Sequence, residues 1–366
     1  MDALTLAIPL LRKLALAGDR VVALIDEIGR GTSATVHTAQ ITGPWGGPRA
    51  VAVKLIDRHP DGFSPRVLAL LEDAVHRAAS VHHPHVAQTY DFDLAARAPF
   101  LVTELVDGGS LEKLANAYAR GERQMPQDLA ILIAIKVASG LHGALSAAQL
   151  VHGNLTARDV LISWSGELKV TDFGLHVASS GVSMVREVDS AARVAAIAPE
   201  VACGALPTAR SDVFSLGILL HQLLLGQRFS PHTSPGEALE LVRDGIVHKS
   251  LMEPQLVHPL RVILRRCLER DPAKRYAHAG EVAADLKKLA VLLGIPDVPA
   301  YVANAVDEAF GSGRCGAPIP EESSQEIRDD DIFEAEVIGP PTPSGLRFRR
   351  FDSAPTLITH AACFDD

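Results

Sequence analysis

Residues 152–174 read HGNLTARDVLISWSGELKVTDFG, and the interpretation of the whole chain depends on the polar residues in this stretch. Residues 167–170 form a short strand-like run that ends just before Asp172. Asp159 and Asp172 carry carboxylates, a ligand type that Mg²⁺ prefers. Asn154 carries an amide, which does not accept a proton at neutral pH and therefore cannot act as a general base. The stretch thus carries an imidazole at His152, an amide at Asn154 and two carboxylates, and their roles depend on the rest of the chain.

The composition is that of an ordinary soluble globular protein. The chain has 366 residues, of which 47% are hydrophobic and 22% are charged, enough for one large or two modest domains with a sizeable core. The formal net charge of −9, without any block of Lys or Arg, argues against nucleic-acid binding. The four cysteines show no C-x-x-C pairing, which indicates free thiols in a reducing compartment. We therefore expect a cytoplasmic protein.

Residues 4–16 form an apolar stretch that needs testing as a signal or membrane segment. Pro9, Arg12 and Lys13 interrupt it, and it is too short to span a bilayer. We predict a short amphipathic helix, so that residues 1–19 form a helical extension packed on the domain. No other apolar run reaches spanning length, and no membrane span is expected.

Hydrophobic periodicity divides the remaining chain into a strand-rich part and a helix-rich part. Strands are predicted at residues 21–27, 34–41, 50–56 and 100–106, with one helix at 65–81. Helices dominate from residue 126, with later ones at 211–225, 259–270 and 280–293.

The composition changes after residue 295. Proline, glycine, serine and acidic residues dominate residues 311–336, a composition too polar to build a core. We therefore predict that residues 295–366 form an acidic, Pro/Gly-rich and mostly disordered tail. Arginines shortly before Ser353 and Thr356 suit phosphorylation by a basophilic kinase.

Several further motifs accompany the opening stretch at regular places along the chain. Residues 29–36 read GRGTSATV between two predicted strands, and residues 51–54 read VAVK on the third. Residues 101–111 read LVTELVDGGSL, residues 198–200 read APE, residues 212–217 read DVFSLG, and Arg275 lies in DPAKRY at 271–276. Each motif is short, so the information lies in their order and spacing.

In this order, across residues 21–293, the motifs resemble those of protein kinases, and bacterial serine/threonine protein kinases in particular. The resemblance implies a bilobal protein-kinase fold of the α+β class. Residues 20–106 would form a small, antiparallel, β-rich N-lobe, and residues 107–294 a larger α-helical C-lobe. It also implies that ATP and Mg²⁺ are the cofactors.

The resemblance assigns individual residues to this nucleotide. Small residues at the first turn let backbone N–H groups approach phosphates, Lys54 contacts the α- and β-phosphates, and Thr103 is the gatekeeper. The positions implied for ATP are Gly29, Gly31, Ala34, Val36, Ala52, Lys54, Thr103, Glu104 and Val106. Asp159 and Asp172 would hold the metal. Glu200 and Arg275 would form an ion pair.

The partner of Lys54 is not decided by the sequence. Protein kinases pair this lysine with a glutamate on the next helix, and an ungapped count places that position at Ala74. Glu72 and Asp73 are the neighbouring acids, but an ideal helix points both away from it. Glu72, Asp73 or no helix residue remain the alternatives.

The catalytic loop departs from the family pattern at several positions together. Protein kinases read H-R-D-x-x-x-x-N, in which Asp accepts the proton of the substrate hydroxyl and Asn holds magnesium. Here His152 is followed by Gly153 and Asn154, and Asp159 takes the metal position. Thr156 stands where serine/threonine kinases keep a lysine, and Arg193 where they keep a threonine before A-P-E.

These departures favour a pseudokinase: a nucleotide-dependent switch or scaffold with protein partners such as kinases or other signalling proteins. The alternative is an active or weakly active serine/threonine protein kinase, in which Asp159 orients the hydroxyl or Arg158 replaces the missing lysine. A remote alternative is a small-molecule phosphotransferase with an H-G-D-x-x-x-x-N loop. Such enzymes lack A-P-E and the partner of its glutamate, both of which are present here.

Overall fold

Alternating apolar residues near the start of the chain build one antiparallel sheet. Its strands lie in the order β1-β2-β3-β4-β6-β5. They are β1 (Lys13–Leu16), β2 (Arg20–Arg30), β3 (Ala34–Gly43), β4 (Gly46–Ile56), β5 (Thr89–Asp93) and β6 (Phe100–Glu104). Successive side chains of a strand point to opposite faces, so Val51 and Val53 are fully buried with Val102 on one face of the sheet. The computed structural model describes residues 13–16, 20–31, 34–43, 46–56, 65–94, 99–175, 191–226, 228–229, 232–244 and 256–311.

Helix α1 (Pro65–Ala79) packs on this sheet. Its buried residues Val67, Leu71 and Val75 recur at helical spacing and join Leu101 of β6 in one cluster. The helix is amphipathic, and Asp73 and Arg77 form an ion pair on its exposed side. The sheet and α1 together make the predicted N-lobe.

Residues 104–107 join the two lobes and are called the hinge. Helices dominate the chain after them. They are α2 (Leu111–Arg120), α3 (Gln127–Ala148), α4 (Ala191–Ala196), α5 (Pro199–Ala202), α6 (Ala209–Leu225), α7 (Pro235–Arg243), α8 (His258–Cys267), α9 (Ala279–Leu293) and α10 (Pro299–Phe310). Within the described residues, α3 is the one helix long and apolar enough to cross a membrane. Most of that helix is buried, because it lies in the core of the lobe against α6 and α9. This is the predicted helical C-lobe, and the bilobal α+β fold is confirmed.

A small second sheet lies next to the hinge. It consists of β7 (Gly108–Ser110), β8 (Val160–Ser163) and β9 (Leu168–Val170), paired antiparallel in that order. A one-turn 3₁₀ helix (Ala157–Asp159) leads into β8. The hairpin β8–β9 therefore separates Asp159 from Asp172 and brings both to the same end of the sheet.

The helix predicted for residues 1–19 is wrong over residues 13–16. These residues form β1, with Lys13 opposite Ala23 and Leu16 opposite Arg20. The edge of β2 offers unpaired backbone groups, whereas so short a segment gains little from helix formation. Residues 1–12 lie outside the described part of the chain.

The predicted start of the tail at residue 295 is also wrong. The chain continues into α10, whose Val302 and Val306 are fully buried at i, i+4 spacing. This apolar face packs on α2 and β8, so the folded part extends at least to residue 311. Residues 312–366, including Ser353 and Thr356, lie outside the described residues.

Candidate functional site

The strand register brings four predicted nucleotide-binding residues onto one face of the first sheet. Val36 lies opposite Lys54, and Ala52 lies opposite Thr103. Directly paired residues share a face, as do residues two apart along a strand. Val36, Ala52, Lys54 and Thr103 therefore face the same side. The prediction from the motifs is consistent with this arrangement.

The glycine-rich turn joins β2 to β3 at the edge of that face. The backbone N–H of Gly31 donates to the carbonyl of Ala34 at 2.8 Å. Gly29 lies opposite Val36. A Cβ built on Gly29 would make only an ordinary contact, 3.9 Å from Cβ of Val36. Residues 32–33 lie outside the described residues. Through Val36, the pairing of the strands places Gly29 on the side of the sheet that carries Lys54.

The hinge follows β6. Glu104 is anchored by its side chain: one carboxylate oxygen lies 2.9 Å from Lys169 Nζ, and the other accepts from the backbone of Gln88 at 3.1 Å. Its backbone N–H donates to the carbonyl of Gln88 at 2.8 Å. The half-buried residue Val106 follows two positions later. Sequence reasoning missed Lys169 and Gln88, which fix the hinge from outside the motif.

Lys54 forms an ion pair with Asp172, with 2.7 Å between Nζ and Oδ2. The helix position expected to carry a glutamate is Ala74, which is buried and close to Gly174. A Cβ built on Gly174 would lie 2.8 Å from that of Ala74. Helix α1 therefore packs on the chain just after Asp172 and leaves no space there for a longer side chain. Of the two neighbouring acids, Asp73 pairs with Arg77 instead.

Asp172 has a φ of 65°, in the left-handed region that most residues avoid. Such a conformation costs on the order of 1–3 kcal/mol and persists where surrounding structure determines it. The ion pair with Lys54 and the buried ring of Phe173 supply that support. The ring of Phe173 meets that of His152 edge to face, with 5.1 Å between centroids.

Asn154 is buried, with 4% of its surface exposed. Its side-chain oxygen Oδ1 has no hydrogen-bond partner among the described residues. Buried polar atoms in native proteins nearly always have one, so such an atom in a cleft marks a place for a ligand or water. An amide in this position can donate or accept a hydrogen bond, but it cannot take up a proton.

The backbone of the loop is held from below by Asp212, at the start of α6. The N–H groups of His152 and Gly153 donate to the two carboxylate oxygens of Asp212 at 2.8 and 2.9 Å. Burial raises the pKa of Asp212, while His152 and the two N–H donors oppose that shift. Gly153 has a φ of 89°, which glycine adopts without strain. Sequence reasoning placed Asp212 in a helix motif but did not predict this anchoring role.

Thr156 and Asp159 form a reciprocal capping box around the 3₁₀ turn. The backbone N–H and the hydroxyl of Thr156 both donate to Oδ2 of Asp159, at 2.8 and 2.7 Å. Asp159 is 2% exposed, and its other oxygen, Oδ1, is the one that a cation would use. Arg158 pairs with Glu112 of α2 at 2.8 Å. It is thus held at the surface by α2 and does not stand in for the missing lysine in this conformation.

The predicted pair between Glu200 and Arg275 is present. Both guanidinium end groups of Arg275 donate to the carboxylate, at 2.7 and 2.8 Å. Arg275 also donates to the carbonyls of Glu269, Arg210 and Arg270, so the buried charge is fully hydrogen-bonded. Arg193 lies half-buried in α4, which precedes Glu200 in the chain. Residues 176–190 lie outside the described part.

The carboxylates of the site suit a magnesium ion bound together with a nucleotide better than a metal ion held by protein side chains alone. No group of three or more His, Cys, Asp or Glu side chains suited to a metal occurs within the described residues. Magnesium is usually held by one or two carboxylates together with phosphate oxygens and water. Asp172 and Oδ1 of Asp159 supply such carboxylates, and Lys54 supplies a cation for phosphate.

Comparisons with known proteins agree with this fold and site. The family described as "Protein tyrosine and serine/threonine kinase" matches residues 22–283. The chain is similar to "Probable serine/threonine-protein kinase PknB" of Lactococcus lactis, with 29% identity over 264 residues, 72% of this chain and 41% of that protein. The serine/threonine-protein kinase drp72 of Corynebacterium efficiens is 31% identical over 271 residues, covering 70% and 49% of the two chains. PknL of Mycobacterium tuberculosis is 30% identical over 255 residues, covering 69% and 62%. The chain thus spans about half the length of these relatives.

Proposed function

The chain belongs to the protein tyrosine and serine/threonine kinase family, and we propose that it acts there as a Mg-ATP-binding signalling protein with impaired phosphotransfer. In this role it is a nucleotide-dependent switch or scaffold. Its partners are other proteins, such as kinases or signalling proteins, in the cytoplasm. The net charge of −9 does not suit a nucleic-acid partner.

The observation that carries this proposal is the buried amide of Asn154 at the head of the catalytic loop. A general base at this position accepts the proton of the substrate hydroxyl as the phosphoryl group is transferred. Loss of general-base assistance costs about 10²–10⁴ in rate, or about 3–5 kcal/mol of transition-state stabilisation. Thr156 is neutral, so this position supplies no cation for the transferring phosphate, and its hydroxyl donates to Asp159 instead.

The nucleotide side of the site retains its charged groups. Bound Mg-ATP would supply the phosphates together with a cation that balances their charge. Lys54 would then donate to phosphate oxygens, and Asp172 and Asp159 would orient the cation through their carboxylates. Glu104 and Val106 would offer backbone groups to the adenine edge. These residues bind and orient, and none of these steps requires a proton acceptor at residue 154.

One arrangement supports the alternative of an active serine/threonine kinase. The Glu200–Arg275 pair is assembled as in the family pattern, and Lys54 and Asp172 lie together on the phosphate side of the cleft. In that case Asp159 would have to accept the hydroxyl proton. Its carboxylate is almost fully buried, and Oδ2 already accepts two hydrogen bonds from Thr156. This burial and bonding disfavour the alternative.

The test combines nucleotide binding with phosphotransfer. The purified protein is titrated with ATP, with and without Mg²⁺, in a thermal-unfolding assay, and transfer of labelled γ-phosphate to itself and to a protein substrate is measured in parallel. At 100 times its Kd, Mg-ATP should raise the free energy of unfolding by about 2.7 kcal/mol. We expect no transfer above background.

The variants Lys54→Ala and Asp172→Ala should weaken this stabilisation. Lys288→Ala is the matched control, because it removes an exposed lysine paired with Asp285 at a distance from the cleft. Robust transfer to protein by the unmodified chain would contradict the proposal and favour the active kinase. Transfer to an aminoglycoside or an amino alcohol would favour the small-molecule enzyme. No effect of millimolar nucleotide would leave a scaffold that works without nucleotide.

A further inference from the structure

Helix α10 follows the last helix of the C-lobe core and returns to the hinge. Its buried residues Val302, Ala305 and Val306 face α2 and β8. Helix α2 begins directly after β7, and β8 pairs with β7. The helix therefore packs on the two elements that support the strand leaving the hinge.

The first turns of α10 are anchored on α3 and on the turn between β8 and β9. The hydroxyl of Tyr301 donates to Asp128 of α3 at 2.6 Å, and Lys136 of α3 pairs with Asp297 at 3.0 Å. The turn between β8 and β9 passes directly beneath. A Cβ on Gly166 would lie 2.2 Å from the carbonyl oxygen of Pro299. These contacts fix where the helix starts.

Phe310, the last residue of α10, lies on the backbone of β7. A Cβ on Gly109 would lie 2.9 Å from Cε2 of Phe310, so the ring rests on the peptide chain itself. Strand β7 lies even closer to β8, since a Cβ on Gly108 would lie 2.0 Å from the carbonyl oxygen of Ile162. Two consecutive glycines thus allow β7 to lie between β8 and the ring of Phe310.

Trp164 completes the contact. Its ring meets that of Phe310 edge to face, with 5.9 Å between centroids and 86° between planes. Such pairs add about 0.5–1.5 kcal/mol beyond the area that they bury. Trp164 belongs to the turn after β8, and its backbone N–H donates to the carbonyl of Asp107 at 3.0 Å. The aromatic pair therefore connects α10 to the residue that follows Val106.

We propose that α10 is a clamp on the hinge and that Phe310 is a positioning residue for nucleotide binding. Phe310 holds β7 against β8 and so keeps the backbone at residues 104–106 in the geometry that receives the adenine edge. This inference rests on the proposed nucleotide function. By reciprocity, bound nucleotide holds α10 in place.

The expected size of the effect follows from the population of the clamped hinge. If removal of the ring leaves the competent geometry about 10–20% populated, the apparent Kd for nucleotide rises about five- to tenfold. A leucine at the same position fills part of the space and should restore part of the affinity. A change at the anchored end of the helix should leave the hinge contact in place.

The experiment uses the full chain in a Trp45→Phe background, in which Trp164 is the one remaining tryptophan. The Kd for Mg-ATP is measured by isothermal titration calorimetry for the parent, Phe310→Ala, Phe310→Leu and the control Tyr301→Phe, and Trp164 emission is followed in a parallel titration. The Tm of each protein is recorded so that general destabilisation is separated from the effect on binding. Tyr301→Phe loosens the same helix through its bond to Asp128, away from the hinge.

We expect Phe310→Ala to raise the Kd about five- to tenfold and to abolish the emission change of Trp164, with Phe310→Leu intermediate and Tyr301→Phe close to the parent. Equal Kd values for Phe310→Ala and Tyr301→Phe would overturn the clamp. If the parent binds no nucleotide, the proposed function fails. The clamp is then decided by amide hydrogen exchange at residues 104–110, where faster exchange in Phe310→Ala than in Tyr301→Phe supports it and equal exchange overturns it.

Discussion

Thr156 donates two hydrogen bonds to a single oxygen of Asp159, one from its backbone and one from its hydroxyl. Both residues depart from the protein-kinase pattern, in which a lysine and an asparagine occupy these positions. Their contact shows that the two departures are linked, because each residue satisfies the polar groups of the other. The loop is therefore well folded with an amide at residue 154 and a neutral hydroxyl at residue 156.

Restoring the usual residue types tests how much of the impairment lies in this exchange. In the double variant Asn154→Asp with Asp159→Asn, a carboxylate returns to the proton-accepting position, and the new amide still offers an oxygen to Thr156. We expect measurable γ-phosphate transfer, up to about 10²-fold above the unmodified protein. Asp159→Asn alone is the control. If the double variant transfers no more phosphate than this control, Thr156, Arg193 and Ala74 are the larger lesions.

The contact between α1 and Gly174 predicts a large penalty for a methyl group there. Gly174→Ala places a Cβ 2.8 Å from that of Ala74 at a φ of 73°. Gly204→Ala is matched in backbone, with a φ of 99°, but nothing lies within 4 Å of its Cβ. We expect a loss of about 1–2 kcal/mol in unfolding free energy for Gly204→Ala and about 2–4 kcal/mol for Gly174→Ala. Urea denaturation measures both, and equal losses would show that α1 moves aside freely.

The buried pair of Glu200 and Arg275 predicts a strong effect on stability. Glu200→Gln removes the charge that faces a fully buried guanidinium, which should cost about 3–5 kcal/mol. Glu240→Gln breaks an exposed pair with Arg243 and should cost about 0–1 kcal/mol. Thermal and urea unfolding of the two variants provide the comparison. A small loss of unfolding free energy in Glu200→Gln would mean that the backbone carbonyls around Arg275 are enough to stabilise its buried charge.

A histidine cluster predicts loss of stability in mild acid. His83 and His85 meet at 5.7 Å in the loop after α1, and His142 of α3 stacks on His278 at 4.6 Å. Burial lowers the pKa of His83, His85 and His142. Neighbouring His and Lys side chains lower these pKa values further. The backbone carbonyl of Leu168 and the carboxylate of Asp297 instead raise the pKa of His85.

The sign of the pH effect follows from these directions. The unfolded chain takes up protons near pH 6.5, whereas the folded cluster resists them until the pH is lower. The stabilising contribution is therefore complete above about pH 6.5 and is lost as the pH falls through the folded pKa values. We expect the Tm to fall between about pH 7 and pH 5.5, and to fall less in His83→Gln than in the exposed-site control His82→Gln. Identical profiles for the two variants would refute a role for the cluster.

The sequence predicted which strands carry the candidate nucleotide residues better than it predicted the contacts of those residues. Alternation around Val51 and Val53 was sufficient to predict that Lys54 lies beside a buried strand face. The partner of Lys54 was not predictable, because Asp172 lies 118 residues away and the choice depends on how α1 packs at Ala74. Local patterns carry no information about such packing.

Two parts of the fold were missed for opposite reasons. Helix α10 carries Val302 and Val306 at helical spacing, but the polar composition of the following residues masked this signal. Strand β1 has no strong pattern of its own, and it forms because β2 offers a free edge. Tertiary context decides in both cases.

The attachment of the catalytic loop to Asp212 has a consequence for the history of this chain. Asp212 binds the loop through backbone N–H groups, which every residue but proline provides. The side chain at residue 154 can therefore change under mutation while the loop keeps its course. Selection for folding alone does not preserve the catalytic residues, and selection for nucleotide binding preserves a different set. A lineage can thus lose phosphotransfer in single substitutions without passing through an unfolded intermediate form.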